Sequence, residues 1–213
     1  MLMVRNKKFL ICYKLFFALL GFSAIVTEIS TIAERGYFNP TNFFSFFTIQ
    51  NNILVFLIFL LSALYVASGR IPVWLDKLRG AATMYIAVVG IGFAVLLSGL
   101  ENTVLTAVPW DNIVLHYIIP IAAFVDLIID RPKTELRFKK SLIWLLYPII
   151  YVAYSLIRGA IVGWYPYPFL DPSEKGYVGV AVISVALLIL ASILTWIVCM
   201  LSGDSPKPAK AKR

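Results

Sequence analysis

The chain has 213 residues, 61% of them hydrophobic and only 14% charged, with mean hydropathy +0.87. That leaves too little polar surface for a water-soluble domain, so its natural solvent is a bilayer. The formal net charge of +8 does not indicate nucleic acid, because Lys and Arg sit in short segments between apolar runs and no basic face alternates with exposed aromatics.

Apolar runs long enough to cross a bilayer lie at about residues 9–32, 42–67, 80–100, 112–130, 141–160 and 177–201. Turn and breaker segments separate them, and no internal repeat is visible. The expected fold is all-α: a polytopic membrane protein, residues 1–203, built as a six-transmembrane-helix bundle. Residues 204–213, "DSPKPAKAKR", read as a basic disordered tail. The first run is too long, and lacks the small-residue exit, for a cleavable signal peptide.

The first span carries Lys14 in its interior and Glu28 near its far end, with small residues from Gly21 to Ala24. The second is unusual. In "FSFFTIQNNILVFLIF" an otherwise lipid-suited run holds Thr48, Gln50, Asn51 and Asn52. Thr48, Asn51, Asn52 and Val55 share one helical stripe, while Gln50 points elsewhere. "VVGIGF" in the third span permits close helix contact, and Glu101 and Asn102 close that span. The fourth holds His116, the single histidine, together with Pro120 and Asp126. Asp126 reads as snorkelling to the membrane edge. In the fifth, Tyr147, Tyr151, Tyr154, Ser155 and Arg158 form a stripe. Pro120 and Pro148 should kink their helices. The loop "YPYPFLDP" reads as an interfacial aromatic anchor or, more sharply, as a lid. Cys12 and Cys199 read as buried small hydrophobes, and no zinc-ligand spacing is present.

Orientation follows from charge. Fifteen Lys and Arg fall on the side of the two termini and the second and fourth loops, against Arg35, Arg158 and Lys175 opposite. The positive-inside rule then puts both termini in the cytoplasm of a cell whose plasma membrane the bundle spans. On that scheme Glu28, Thr48, His116 and Arg158 all reach the outer half. At about 1.5 Å per residue, Thr48 sits roughly 9 Å and His116 roughly 6 Å below the outer end. Intramembrane polar groups need partners or water, so a polar cavity in the outer half is expected, with Glu28 and Arg158 as ion partners across it.

The chemistry that this cavity could hold is nucleophilic. A hydroxyl needs a nearby base, and an unperturbed imidazole suits that role at neutral pH. Thr48 with His116 supplies the pair, and Asn51 or Asn52 could face a developing oxyanion. The bland readings stay open: a threonine bonded to its own helix carbonyl and a histidine bonded between helices. One histidine is a poor metal set, so no metal and no organic cofactor is expected.

"FFTIQNN", "DNIVLHYIIP" and "YSLIRGAIVGWYPYPFLD" carry a resemblance. Over nearly its whole length the chain resembles the androgen-induced and androgen-dependent six-transmembrane family, and in particular its bacterial "Pr-six-Pr" branch. Animal members are membrane threonine hydrolases that cleave fatty acid esters of hydroxy fatty acids with one threonine and one histidine. The resemblance implies Thr48 as nucleophile, His116 as base, and Asn51 at the matching position one turn on. Asn52, Glu28 and Arg158 would stabilise the oxyanion or bind substrate. The partner implied is a membrane lipid or lipid-like ester. The bacterial character of the segment around His116 and of "WYPYPF" leaves the animal substrate open. A non-enzymatic lipid or small-molecule transporter or binding protein is the alternative use of such a cavity.

Overall fold

A computed structural model describes residues 6–99 and 106–202. Six helices are long and apolar enough to cross a bilayer: α1 (Lys7–Glu34), α2 (Phe47–Ser68), α3 (Val73–Leu96), α4 (Pro109–Ile129), α5 (Phe138–Val162) and α6 (Pro172–Leu201). The described residues contain no strand. The chain is thus an integral membrane protein with the expected six-helix architecture. Arg5, Glu101, Asn102 and the tail at 204–213 lie outside the described residues.

Local signals set the helix ends. Asn6 caps α1, accepting from the N–H groups of Lys8 and Phe9. Gly69 and Gly163 close α2 and α5 in the left-handed region, at φ 79° and 68°, where a side chain is disfavoured. Asp171 caps α6 ahead of Pro172. The helices alternate in direction. Asp76 at the start of α3 accepts from the backbone of Lys133 and Thr134 after α4, and Leu136 N–H donates to Ser202 at the close of α6. These contacts define a basic end. At the opposite end Ala107 donates to Glu28 and Arg158 to Asn42. α1 packs on α2, and α3 packs on α2, α4 and α6.

Two expected boundaries are corrected. α2 begins at Phe47, not near Asn42. Asn39 caps a separate short helix, Pro40–Phe43, and the Ser45 hydroxyl donates back to the Thr41 carbonyl at 2.6 Å, so the chain turns before α2 starts. Thr48 is therefore the second residue of its helix rather than a residue more than a turn inside it. α3 begins at Val73 rather than 80, because the charged segment "WLDKLRG" is helical.

The reason for the second correction is a buried ion network at the basic end. Lys14 of α1 pairs with Asp126, and with Asp130 at 3.1 Å. Arg79 of α3 reaches Asp76 at 3.3 Å, Asp126 at 2.8 Å and the Asp130 carbonyl at 2.6 Å. Lys14, Asp76 and Asp130 are 0% exposed. Asp126 does not snorkel: it is buried, because cations from α1 and α3 meet it inside the bundle. The buried-hydrophobe reading of the cysteines is also corrected, since Cys12 is exposed on the outside of α1 and Cys199 half-buried.

Both prolines leave an acceptor behind. Pro148 frees the carbonyl of Trp144, which accepts from the Tyr85 hydroxyl at 2.8 Å. Pro120 frees the carbonyl of His116, and there α4 widens into a π turn, Val114–Ile118.

Candidate functional site

Residues 45–51 and α5 dock along the tyrosine stripe. Tyr154 meets the Ser45 hydroxyl at 2.7 Å, Tyr151 donates to the Ser45 carbonyl at 2.9 Å, and Tyr147 donates to Gln50 at 2.7 Å. Gln50 therefore faces α5. α2 itself opens without a side-chain cap from its own strand of chain. Tyrosine hydroxyls take over: Phe47 N–H donates to Tyr151 at 3.2 Å and Thr48 N–H to Tyr167 at 3.1 Å. These are orphan donors of a helix N-terminus, where the macrodipole favours negative charge.

Thr48 is buried at this terminus, and its Oγ1 has two neighbours. His116 Nε2 stands at 3.4 Å and the Tyr167 hydroxyl at 3.2 Å. Nδ1 of His116 is 3.0 Å from the Asn112 carbonyl. A carbonyl can only accept, so Nδ1 carries the proton and Nε2 presents its lone pair to Thr48. The Phe93 ring stacks on the imidazole with centroids 4.0 Å apart, and His116 is buried within the π turn. Tyr167 is also buried, and burial pushes its phenol up from the ordinary value. The phenol stays protonated at neutral pH. Its oxygen accepts from Thr48 N–H and lies within reach of Thr48 Oγ1, so the phenol can donate to that oxygen or to a group bound there.

The structure thus brings Thr48 and His116 together and adds Tyr167. The remaining residues are placed differently from expectation. Asn51 donates to the Phe47 carbonyl at 2.8 Å; Asn52 donates to the carbonyls of Thr48 at 2.9 Å and Leu115 at 3.2 Å. Asn52 uses its amide on two carbonyls and Asn51 is held by the Phe47 carbonyl and Tyr147, because an asparagine one turn into a helix meets a carbonyl sooner than a substrate. Asn52 instead clips α2 to the residue preceding His116. Glu28 and Arg158 are not an ion pair. Both Glu28 oxygens take the Ala107 N–H, at 3.0 and 2.8 Å. Arg158 donates to Asn42 at 2.5 Å and lies 4.9 Å over Trp164. Each found a nearer partner in a loop at this end of the bundle.

Tyr167 was missed because "YPYPFLDP" has the composition of a membrane-interface belt, and composition does not tell an anchor from a ring turned inward. Asn112 and Phe93 carried no signal of their own. The segment after α5 folds back over the cavity through a tight contact: a Cβ at Gly159 would lie 2.0 Å from the Tyr165 ring. The backbone behind His116 is also close-packed, though less tightly. A Cβ at Gly90 would lie 3.0 Å from Pro120 and 3.1 Å from the His116 carbonyl. Gly90→Ala should shift α4 away from α3 and lengthen the Thr48–His116 contact, cutting any Thr48-dependent reactivity by about tenfold. Reaction rates of the two proteins with an active-site probe check this.

Two cavities meet at Thr48. The larger, about 730 Å³ including its mouth, is almost wholly apolar and runs between α3, α5 and α6 under Phe169 and Leu170. The smaller, about 480 Å³, is lined by Glu28, Phe43, Phe46, Thr106 and His116. Thr48, Leu97 and Tyr167 border both. Compared with protein-family models, curated proteins and solved structures, the chain matches none, so the geometry of this buried Thr–His–Tyr cluster stands as the ground for a functional reading.

Proposed function

We propose that the chain is a membrane threonine hydrolase acting on lipid esters, with Thr48 as nucleophile and His116 as base. The observation that carries this is the arrangement around Thr48 Oγ1: an imidazole nitrogen with a free lone pair at 3.4 Å, at the N-terminus of a helix. The contact is longer than the roughly 2.6–3.2 Å of productive proton transfer, as is common before substrate binds. The resemblance to the androgen-induced six-transmembrane family supports the same pair.

The steps follow from the positions. His116 Nε2 takes the Thr48 proton as Oγ1 forms a bond to the ester carbonyl carbon. Negative charge collects on the carbonyl oxygen, beside the α2 N-terminus and the Tyr167 hydroxyl. The intermediate collapses, the ester C–O bond breaks, and His116 returns the proton to the leaving alcohol. Water, deprotonated by His116, then splits the acyl-threonine to the acid and restores the hydroxyl. Thr48 is a secondary alcohol, so turnover is slow. The lysine and arginine asymmetry supports an orientation with the termini in the cytoplasm and this site in the outer half of the plasma membrane.

A fluorophosphonate probe tests the reading on purified protein. Labelling of the wild-type chain is expected, with loss in Thr48→Ala and a fall of about 10²-fold or more in His116→Ala. Labelling unchanged by both substitutions would overturn the hydrolase and leave a lipid-binding or transport protein using the same cavities.

A further inference from the structure

The two cavities are not equivalent with respect to the chemistry, and their difference specifies which half of an ester goes where. This rests on the hydrolase reading. His116 lines only the smaller cavity. The proton that leaves Thr48 must be delivered to the departing alcohol oxygen, so the alcohol half lies on the His116 side. The acyl chain then extends the other way, into the larger cavity between Met84, Val88, Phe93, Leu187 and Phe169, whose wall has almost no polar surface.

The alcohol half consequently meets carboxylates. Glu28 lines the smaller cavity, held by the Ala107 N–H. Behind it Asp111 is 0% exposed and neighbours both Glu28 and Thr106. Asp111 stands beside the Glu28 carboxyl, the Thr106 hydroxyl and the Asn112 N–H, so the two acidic groups share one buried, water-poor corner of the cavity. No Lys or Arg lines either cavity among the described residues. Arg35 is the nearest cation; it donates to the Ala107 carbonyl from an exposed position. Arg158 is engaged by Asn42 and Trp164.

We infer that the smaller cavity selects an alcohol half that carries positive charge or several hydroxyl donors and no anion. A carboxylate brought there would lie out of water beside two acidic groups, with no Lys or Arg among the described residues lining the cavity to offset its charge. An ammonium or polyol group would donate to the Glu28 carboxyl oxygens, and the aromatic residues Phe43 and Phe46 line the same cavity, where they suit a quaternary ammonium. The acidic alcohol half of a hydroxy fatty acid ester is therefore disfavoured, and an acylated amino alcohol or polyol is favoured.

Two measurements separate this claim from the hydrolase reading. The first is kcat/KM for lauroyl esters of choline, glycerol and glycolic acid, in wild type and Glu28→Gln. The choline and glycerol esters should be cleaved about tenfold or more better than the glycolate ester, and Glu28→Gln should narrow that gap. Thr48-dependent cleavage that favours glycolate, or ignores the head group, overturns the inference and leaves the hydrolase standing. The second uses the non-hydrolysable dodecyl ethers of the same three head groups and reads thermal stabilisation of the wild-type protein in nanodiscs. Stabilisation by the choline and glycerol ethers over dodecyloxyacetate is expected even if no ester is cleaved, and the reverse order overturns the inference. If no ester is cleaved, the hydrolase fails by itself. If Glu28→Gln does not fold, the ether order in wild type still decides.

Discussion

Replacing Lys14 by Met should destabilise the bundle by about 3–5 kcal/mol, the cost of stripping one partner from a buried ion pair. Lys14 enters the network from α1, while the anions Asp126 and Asp130 come from α4 and its C-terminal cap, and Arg79 comes from α3. Without the ammonium, the buried carboxylates Asp126 and Asp130 each lose a cationic partner, which the fixed Arg79 guanidinium does not replace. A methionine fills the same length but satisfies none of those oxygens. The midpoint of unfolding in mixed micelles, followed by tryptophan fluorescence, measures the loss. A midpoint equal to that of the wild type would mean that water reaches the network and that the charges do not depend on one another. The double substitution Lys14→Met with Asp126→Leu should recover part of the loss, since removing both members of a buried pair costs less than removing one.

Gly159→Ala should have the largest effect on the site without removing any reacting atom. The added methyl would fall 2.0 to 2.4 Å from atoms of the Tyr165 ring, so that ring must leave its place on Gly159. Losing that contact loosens the segment after Gly163, which carries Tyr167 two residues beyond Tyr165. The expected result is a fall of about 10²-fold in labelling of Thr48, similar to the loss of one oxyanion donor. Tyr167→Phe separates the causes. It keeps the ring packed on Phe169, centroids 5.0 Å apart, and removes only the hydroxyl that meets Thr48. A comparable fall in both variants identifies the hydroxyl as the group that matters. Full reactivity in Tyr167→Phe would reduce Tyr167 to packing and leave the helix terminus as the source of oxyanion stabilisation.

Residues that read as one stripe did fall on one buried face. Thr48, Asn51, Asn52 and Val55 are all buried, and Tyr147, Tyr151 and Tyr154 all turn to residues 45–51. Helical periodicity is a local property, so it survives whatever the neighbours do. Partner choice is not local. Glu28 and Arg158 were matched by sign and depth, yet Ala107 and Asn42 reach them first through loops that the pattern of apolar runs does not describe. The ion network at the basic end was hidden for a related reason. Arg79 and Asp126 each stand near a membrane boundary, where a single charge is ordinary, Lys14 reads as a single charge inside its span, and only packing of α1, α3 and α4 shows that they share one site.

By itself the sequence determined the six crossings, their alternation and the apolar solvent, because a bilayer demands about twenty apolar residues per helix regardless of tertiary contacts. It also isolated Thr48 and His116, the one being a hydroxyl in an unusually polar run and the other the single imidazole. Tertiary structure alone decided that the two meet, that Nε2 is the nitrogen presented, and that a tyrosine from the last loop completes the group. Those facts depend on a turn before Phe47, a π turn forced beside Pro120 and a glycine under Tyr165. Each moves a side chain by a few ångströms, a distance that settles chemistry and leaves hydropathy unchanged.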